Sequence, residues 1–108
     1  MNTSAFLGYV GSPELHDGRI RQVSRKANVV RVLVRDATGQ DYEVTFGGVR
    51  DIRTNRPAGK ALYTVSEMRS RPPLRKFVFD SWEEDGQAAL EIDAERLKIS
   101  KVDSRVAG

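Results

Sequence analysis

Residues 19–76 carry 14 Lys and Arg against 5 Asp and Glu, and this imbalance is the first feature of the chain that could do chemistry. Arginine dominates it, and a guanidinium is a planar fork suited to bidentate contact with carboxylate or phosphate. The candidate anion or partner contacts are Arg19, Arg21, Arg31, Arg35, Arg53 and Arg56. The flanks have the opposite sign: residues 1–18 carry 2 acidic and no basic side chains, and residues 77–108 carry 8 acidic against 4 basic. Two outcomes are open. Acidic C-terminal strands can pair in space with the basic middle, the usual fate of charge runs, or the middle can present a basic surface to an acidic partner.

Other chemistry is sparse. The chain has one histidine and no cysteine, which leaves no catalytic residues, no cofactor-binding residues and no metal ligands to nominate. His16-Asp17 would be half of an acid–base pair, but adjacent residues on a strand point to opposite faces. The expected role of His16 is to bond a neighbouring backbone group where a strand begins, beside an Asp17-Gly18 turn. Gly47-Gly48 lacks the lysine spacing and strand–helix context of a phosphate loop, so it reads as a bend where a strand leaves a sheet. Asp80, Glu83, Glu84 and Asp85 share composition with a calcium loop but lack its ligand alternation. They read as a solvated hairpin tip.

Two hairpins must hold these side chains. In the first, Val30, Val32 and Val34 alternate with Arg31, Leu33 and Arg35, and Tyr42, Val44 and Phe46 alternate with Asp41, Glu43 and Thr45. Gly39 supplies the left-handed residue that ends a three-residue hairpin loop with a bulge. With Asp36 facing Gln40, Val34 meets Tyr42, Val32 meets Val44 and Val30 meets Phe46; a slip of one residue would expose the whole apolar set. Arg35 then faces Asp41, and Arg31 faces Thr45. In the second hairpin, Asp85-Gly86 signals a two-residue turn. That turn sets Phe79 opposite Ile92, Phe77 opposite Ala94, Ser81 opposite Leu90 and Trp82 opposite Ala89.

Elsewhere, residues 1–14 suggest an arm or edge strand packing Phe6 and Tyr9, with a turn at Ser12-Pro13-Glu14. Arg19 to Ser24 reads as a strand with Ile20 in the core and a bulge before Val23. Val49 and Ile52 are spaced like one helical turn, predicting a short turn or 3₁₀ segment followed by an exposed basic loop. Lys60 to Met68 reads as a strand contacted on both faces, Ser70 to Pro73 as a loop, and Leu97, Ile99 and Val102 as a last strand after an interruption at residues 93–96. Residues 103–108 should fray. The expected fold is all-β: one domain over residues 1–108, with six or seven strands in an antiparallel meander. It should form a small sandwich or half-barrel with at most short helical turns.

Part of the pattern resembles small bacterial β-rich proteins of unknown function, some classed as immunity proteins of polymorphic toxin systems. The resemblance rests on Leu15-His16-Asp17-Gly18, the Val-rich hairpin, Phe46-Gly47-Gly48-Val49, Phe77-Val78-Phe79 and Leu90 to Ala94, and covers roughly residues 15–99. The sparse chemistry and the uneven charge predict a non-enzymatic interaction module that binds another protein, and the resemblance adds an immunity-type role. The basic middle departs from the acidic character common among immunity proteins that neutralise nucleases. The alternative is weak nucleic-acid or polyanion binding through the arginines, and against it the strand aromatics fall on the core faces rather than beside the charges. The N-terminus lacks a basic signal region, and no stretch reaches the ~18 apolar residues of a membrane span. The chain therefore reads as cytoplasmic, with no membrane association.

Overall fold

A computed structural model describes residues 6–10, 15, 17–54, 56, 59, 61–81 and 89–102. Among them are nine strands and no α-helix: β1 (Phe6–Tyr9), β2 (Arg19–Lys26), β3 (Val29–Arg35), β4 (Asp41–Gly47), β5 (Asp51–Thr54), β6 (Leu62–Met68), β7 (Arg75–Ser81), β8 (Leu90–Ala94) and β9 (Arg96–Lys101). They form two antiparallel sheets, a four-stranded one in the order β2-β3-β4-β9 and a five-stranded one in the order β1-β6-β7-β8-β5. Each sheet is a three-strand meander, β2-β3-β4 or β6-β7-β8, extended by strands from elsewhere in the chain. The fold is an all-β sandwich.

The first hairpin has the register its sequence dictates, with Val30↔Phe46, Val32↔Val44 and Val34↔Tyr42. Asp36 closes the turn: its amide donates to the Gln40 carbonyl at 2.9 Å, and Gly39, at φ 95°, donates to the Asp36 carbonyl. The Asp36 carboxylate accepts from the Thr38 and Gln40 amides, a local bonding pattern that favours turn over strand. The bulge in β2 lies between Ile20 and Gln22.

The second hairpin differs from expectation by two residues. Phe77 faces Ile92 and Phe79 faces Leu90, while Arg75 faces Ala94. Ser81 pairs instead with Leu62 on β6. Because side chains alternate with period two, a slip of two keeps every residue on its face. The apolar pattern is therefore blind to it, and the expectation rested on a turn at Asp85-Gly86. That turn and Trp82 lie outside the described residues, as do His16, residues 11–14 and residues 103–108. The neighbouring strand supports the observed register, since Ile52 of β5 faces Ile92. Lys76 also faces Asp93, an opposite-charge pair that favours it.

Two further expectations are corrected. Residues 51–54 are not a helical turn but the edge strand β5, in which Ile52 points inward while Asp51 and Arg53 point out. Two apolar residues three apart gave too short a pattern to reveal a strand whose partner lies some forty residues away. At the other edge β1 is a strand, but Tyr9 does not pack into the core: Leu7 and Tyr9 are 51% and 59% exposed. The Phe6 side chain is outside the described set.

The sheets face each other because one two-stranded ribbon runs through both. β4 pairs with β9 as far as Gly47↔Arg96, and β5 pairs with β8 from Asp51↔Asp93 onward. Between them the chain bends at Gly48-Val49-Arg50 on one side and at Glu95 on the other. The Glu95 amide donates to the Gly47 carbonyl at 3.0 Å and the Arg50 amide to the Asp93 carbonyl at 2.8 Å, so bonding continues through the bend. Gly48 has φ 65°, and a Cβ there would lie 2.9 Å from the Glu95 Cβ. Glycine is required both by conformation and by space.

Between the sheets, Phe46 of β4 packs its ring 5.1 Å from that of Phe77 and 5.9 Å from that of Phe79, in tilted and edge-on arrangements. Such pairs contribute about 0.5–1.5 kcal/mol beyond area burial. Around this triad Val30, Val32, Val44, Leu90 and Ile92 are fully buried. Leu15, Leu62 and Val65 join the same core.

The crowding at the bend can be separated from the backbone cost. Gly39 also has positive φ, but nothing lies within 4 Å of its missing side chain. Gly48→Ala should therefore lower stability by more than about 1 kcal/mol and by more than Gly39→Ala. Urea midpoints at unchanged m-value measure the difference; equal losses would show that Glu95 does not crowd the corner.

Candidate functional site

The outer face of the four-stranded sheet follows from its registers. Positions that alternate with the core valines point outward. Across the sheet they form the rows Ser24–Arg31–Thr45–Lys98 and Gln22–Leu33–Glu43–Ser100. Arg96 lies beyond the first row, opposite Gly47. At the other end Arg19 faces Arg35, and Arg35 faces Asp41. The face thus gathers Arg19, Arg31, Arg35, Arg96 and Lys98, with Arg21 in the adjacent bulge, against the carboxylates of Asp41 and Glu43.

The six candidate arginines separate into three groups. Arg19, Arg21 and Arg35 converge on a depression of about 400 Å³ at the start of β2, bounded by Asp17 and Asp36. Their charge is partly spent there. Arg35 holds Asp41 in a fork at 2.8 and 3.2 Å, and Arg19 donates to the Gly59 carbonyl. Arg31 stands apart, among Thr45, Arg96 and Lys98, around a second depression of about 560 Å³. Arg53 and Arg56 do not join them. Arg53 lies on the outer face of the other sheet, where Asp51, Glu91 and Asp93 surround it. Arg56 is on the segment after β5, exposed and at φ 44°.

Arg96 and Lys98 are functional candidates that sequence reasoning passed over. The signal was present, because the inward alternation of Leu97 and Ile99 requires Arg96 and Lys98 to point out. What the chain order hid is the pairing of β9 with β4, which brings Lys98 beside Thr45 and so near Arg31. Gly47 makes room on this face: a Cβ at Gly47 would lie 2.9 Å from Arg96 Nη2. Among the described residues, neither Arg31 nor Lys98 forms an ion pair.

The outer face of the five-stranded sheet carries the other sign. Asp51, Asp80, Glu91 and Asp93 point outward there with Arg53 and Lys76. Part of the basic middle therefore pairs with the C-terminal acids, as Arg53 does with Glu91 and Asp93, while Arg19, Arg21, Arg31 and Arg35 lie on the outer side of the other sheet. At one mouth of the sandwich, Arg75 grips Glu67 at 2.9 and 3.0 Å and lies 5.0 Å over the Phe77 ring.

These contacts set the titration of the carboxylates. Hydrogen bonds from Arg35 hold Asp41 below the usual carboxylate range, and those from Arg75 do the same for Glu67. Burial pushes Asp80 up, against a weak hydrogen bond from Ser66 at 3.4 Å. Compared with known proteins, the chain matches no family model, no curated protein and no solved structure.

The shifts have opposite signs for stability. Asp41 and Glu67, depressed in the fold, stabilise it above their unfolded values near pH 4, and that contribution is lost as pH falls through their folded values. Asp80, raised in the fold, has its favourable protonated form below the unfolded value, and the benefit is lost as pH rises through the folded one. Asp80→Asn should therefore raise the urea midpoint at about pH 7 relative to its effect near pH 3, whereas Glu67→Gln should lower it most at about pH 7. Identical pH profiles for the variants and the parent would contradict both assignments.

Proposed function

We propose that this chain is a non-enzymatic interaction module that binds an acidic surface of another protein through the outer face of the four-stranded sheet. The observation that carries the reading is the row Arg31–Thr45–Lys98, where two cations flank a hydroxyl with no carboxylate paired to either among the described residues. Half-buried Leu33 and Val29 lie on the same face and add apolar area to it. Charge complementarity of this kind steers encounter and suppresses wrong partners. A single histidine and no cysteine support a binding role over catalysis. The resemblance to small bacterial β-rich proteins suggests an immunity-type setting, in which the partner is a toxin whose contact surface is acidic. A cysteine-free chain suits the cytoplasm.

Nucleic acid is the competing polyanion. Single-strand platforms stack bases on aromatics interleaved with the charges. Here Tyr42 and Phe46 point inward, and no aromatic side chain is described on the basic face. The reading therefore favours a protein surface.

The test is affinity capture from nuclease-treated lysate of the native host. A protein should be retained at low salt, lost as salt rises, and absent when the bait carries Arg31→Glu with Lys98→Glu. Arg71→Glu, on the loop between β6 and β7, should leave capture intact. If nuclease treatment removes everything retained, and single-stranded DNA or RNA binds with log affinity falling by about 0.7 per phosphate against log salt, the polyanion reading replaces this one.

A further inference from the structure

The depression beside Arg31 is more than part of a charged face. Its floor is the β4–β9 ladder at Thr45 and Gly47, with Val29 contributing apolar surface. Arg31 and Lys98 rise on either side of Thr45, each one strand away. At the usual strand spacing their Cα atoms are roughly 10 Å apart, so two long side chains can close on one anion above the Thr45 hydroxyl. That hydroxyl is uncommitted among the described residues.

Arg96 closes one end. Its guanidinium lies over Gly47, where any side chain would displace it. Among the described residues only a long contact to Glu95, 3.4 Å, holds it, and the side chain is 68% exposed. Arg75, also on the rim, is committed to Glu67 and Phe77 and acts as a wall. Three available cations against the one carboxylate of Glu95 leave a double positive charge.

We propose that this depression binds a phosphomonoester dianion whose esterified group is apolar. The charge matches a dianion better than a carboxylate. Arg31 and Arg96 supply forked donors and Lys98 a point charge, the combination suited to phosphate oxygens. The apolar group rests on Val29. The site recognises the phosphate group whatever carries it, so it stands or falls separately from the reading above.

The experiment is an amide-resolved NMR titration of the full chain with phenyl phosphate, inorganic phosphate and phenyl sulfate. Shifts should centre on Arg31, Thr45, Gly47, Arg96 and Lys98. Phenyl phosphate should bind roughly fivefold or more tightly than phenyl sulfate, which carries one charge fewer, and more tightly than inorganic phosphate, which lacks the ring. Its affinity should fall as pH drops through the second phosphate pKa, about 6. Arg31→Gln with Lys98→Gln should abolish the localised shifts, and Gly47→Ala should weaken them with the fold retained, while Arg25→Gln should change nothing. A glycine-flanked phosphotyrosine peptide tells the two sources of the group apart. Binding at least as tight as phenyl phosphate assigns it to a partner side chain, weaker binding to a small molecule, and either requires the same residues. Shifts spread over all surface arginines, equal affinity for sulfate and phosphate, or no shifts at all would overturn the proposal.

Discussion

Everything in this sandwich depends on one folded ribbon. β4 with β9, and β5 with β8, are two halves of a single antiparallel ladder creased at Gly48 and Glu95. Without the crease the two meanders would have no shared strand to turn their apolar faces toward each other. The crease is held by backbone bonds on either side and by the absence of a side chain at Gly48, whose space Glu95 already occupies. The Phe46–Phe77–Phe79 cluster is the result: rings from opposite sheets come within 5.1 and 5.9 Å because the ribbon has brought the sheets together.

The same crease explains how the charges sort. β4 and β9 face out on one side, where Thr45, Arg96 and Lys98 lie near Arg31. β5 and β8 face out on the other, where Arg53 meets Glu91 and Asp93. A strand that changes sheet carries its outward positions to the opposite surface. The basic middle of the chain is thus divided, with Arg53 neutralised on one face and Arg31, among the described residues, without an ion pair on the other.

Legibility in the sequence followed the range of the interactions. The first hairpin was readable because its register is set by a loop of a few residues and checked by a wholly apolar face; Arg35 opposite Asp41 followed from the same count. The second was readable in its faces but not its register, since Phe77 and Phe79 are interchangeable under a two-residue slip and only β5 and the Lys76–Asp93 pair decide between them. β5 itself was hidden, because Ile52 is one inward residue on a strand of four. The basic site was half legible. Arg31 was visible from its own hairpin, whereas Arg96 and Lys98 needed a pairing across some fifty residues that no local pattern encodes.

The folded ribbon also bears on the order in which the protein can form. During synthesis β2, β3 and β4 leave the ribosome early and can pair among themselves, as can β6, β7 and β8 later. Each meander then exposes an apolar face and an unpaired strand edge. The edge of β4 stays open until β9, nearly the last described segment, has been made. A nascent chain stalled before Arg96 would therefore hold the first hairpin complete yet lack the strand that pairs with the edge of β4 at Val44 and Phe46. Such a chain would keep an open strand edge of the kind that associates with other chains, and is not a smaller version of the protein.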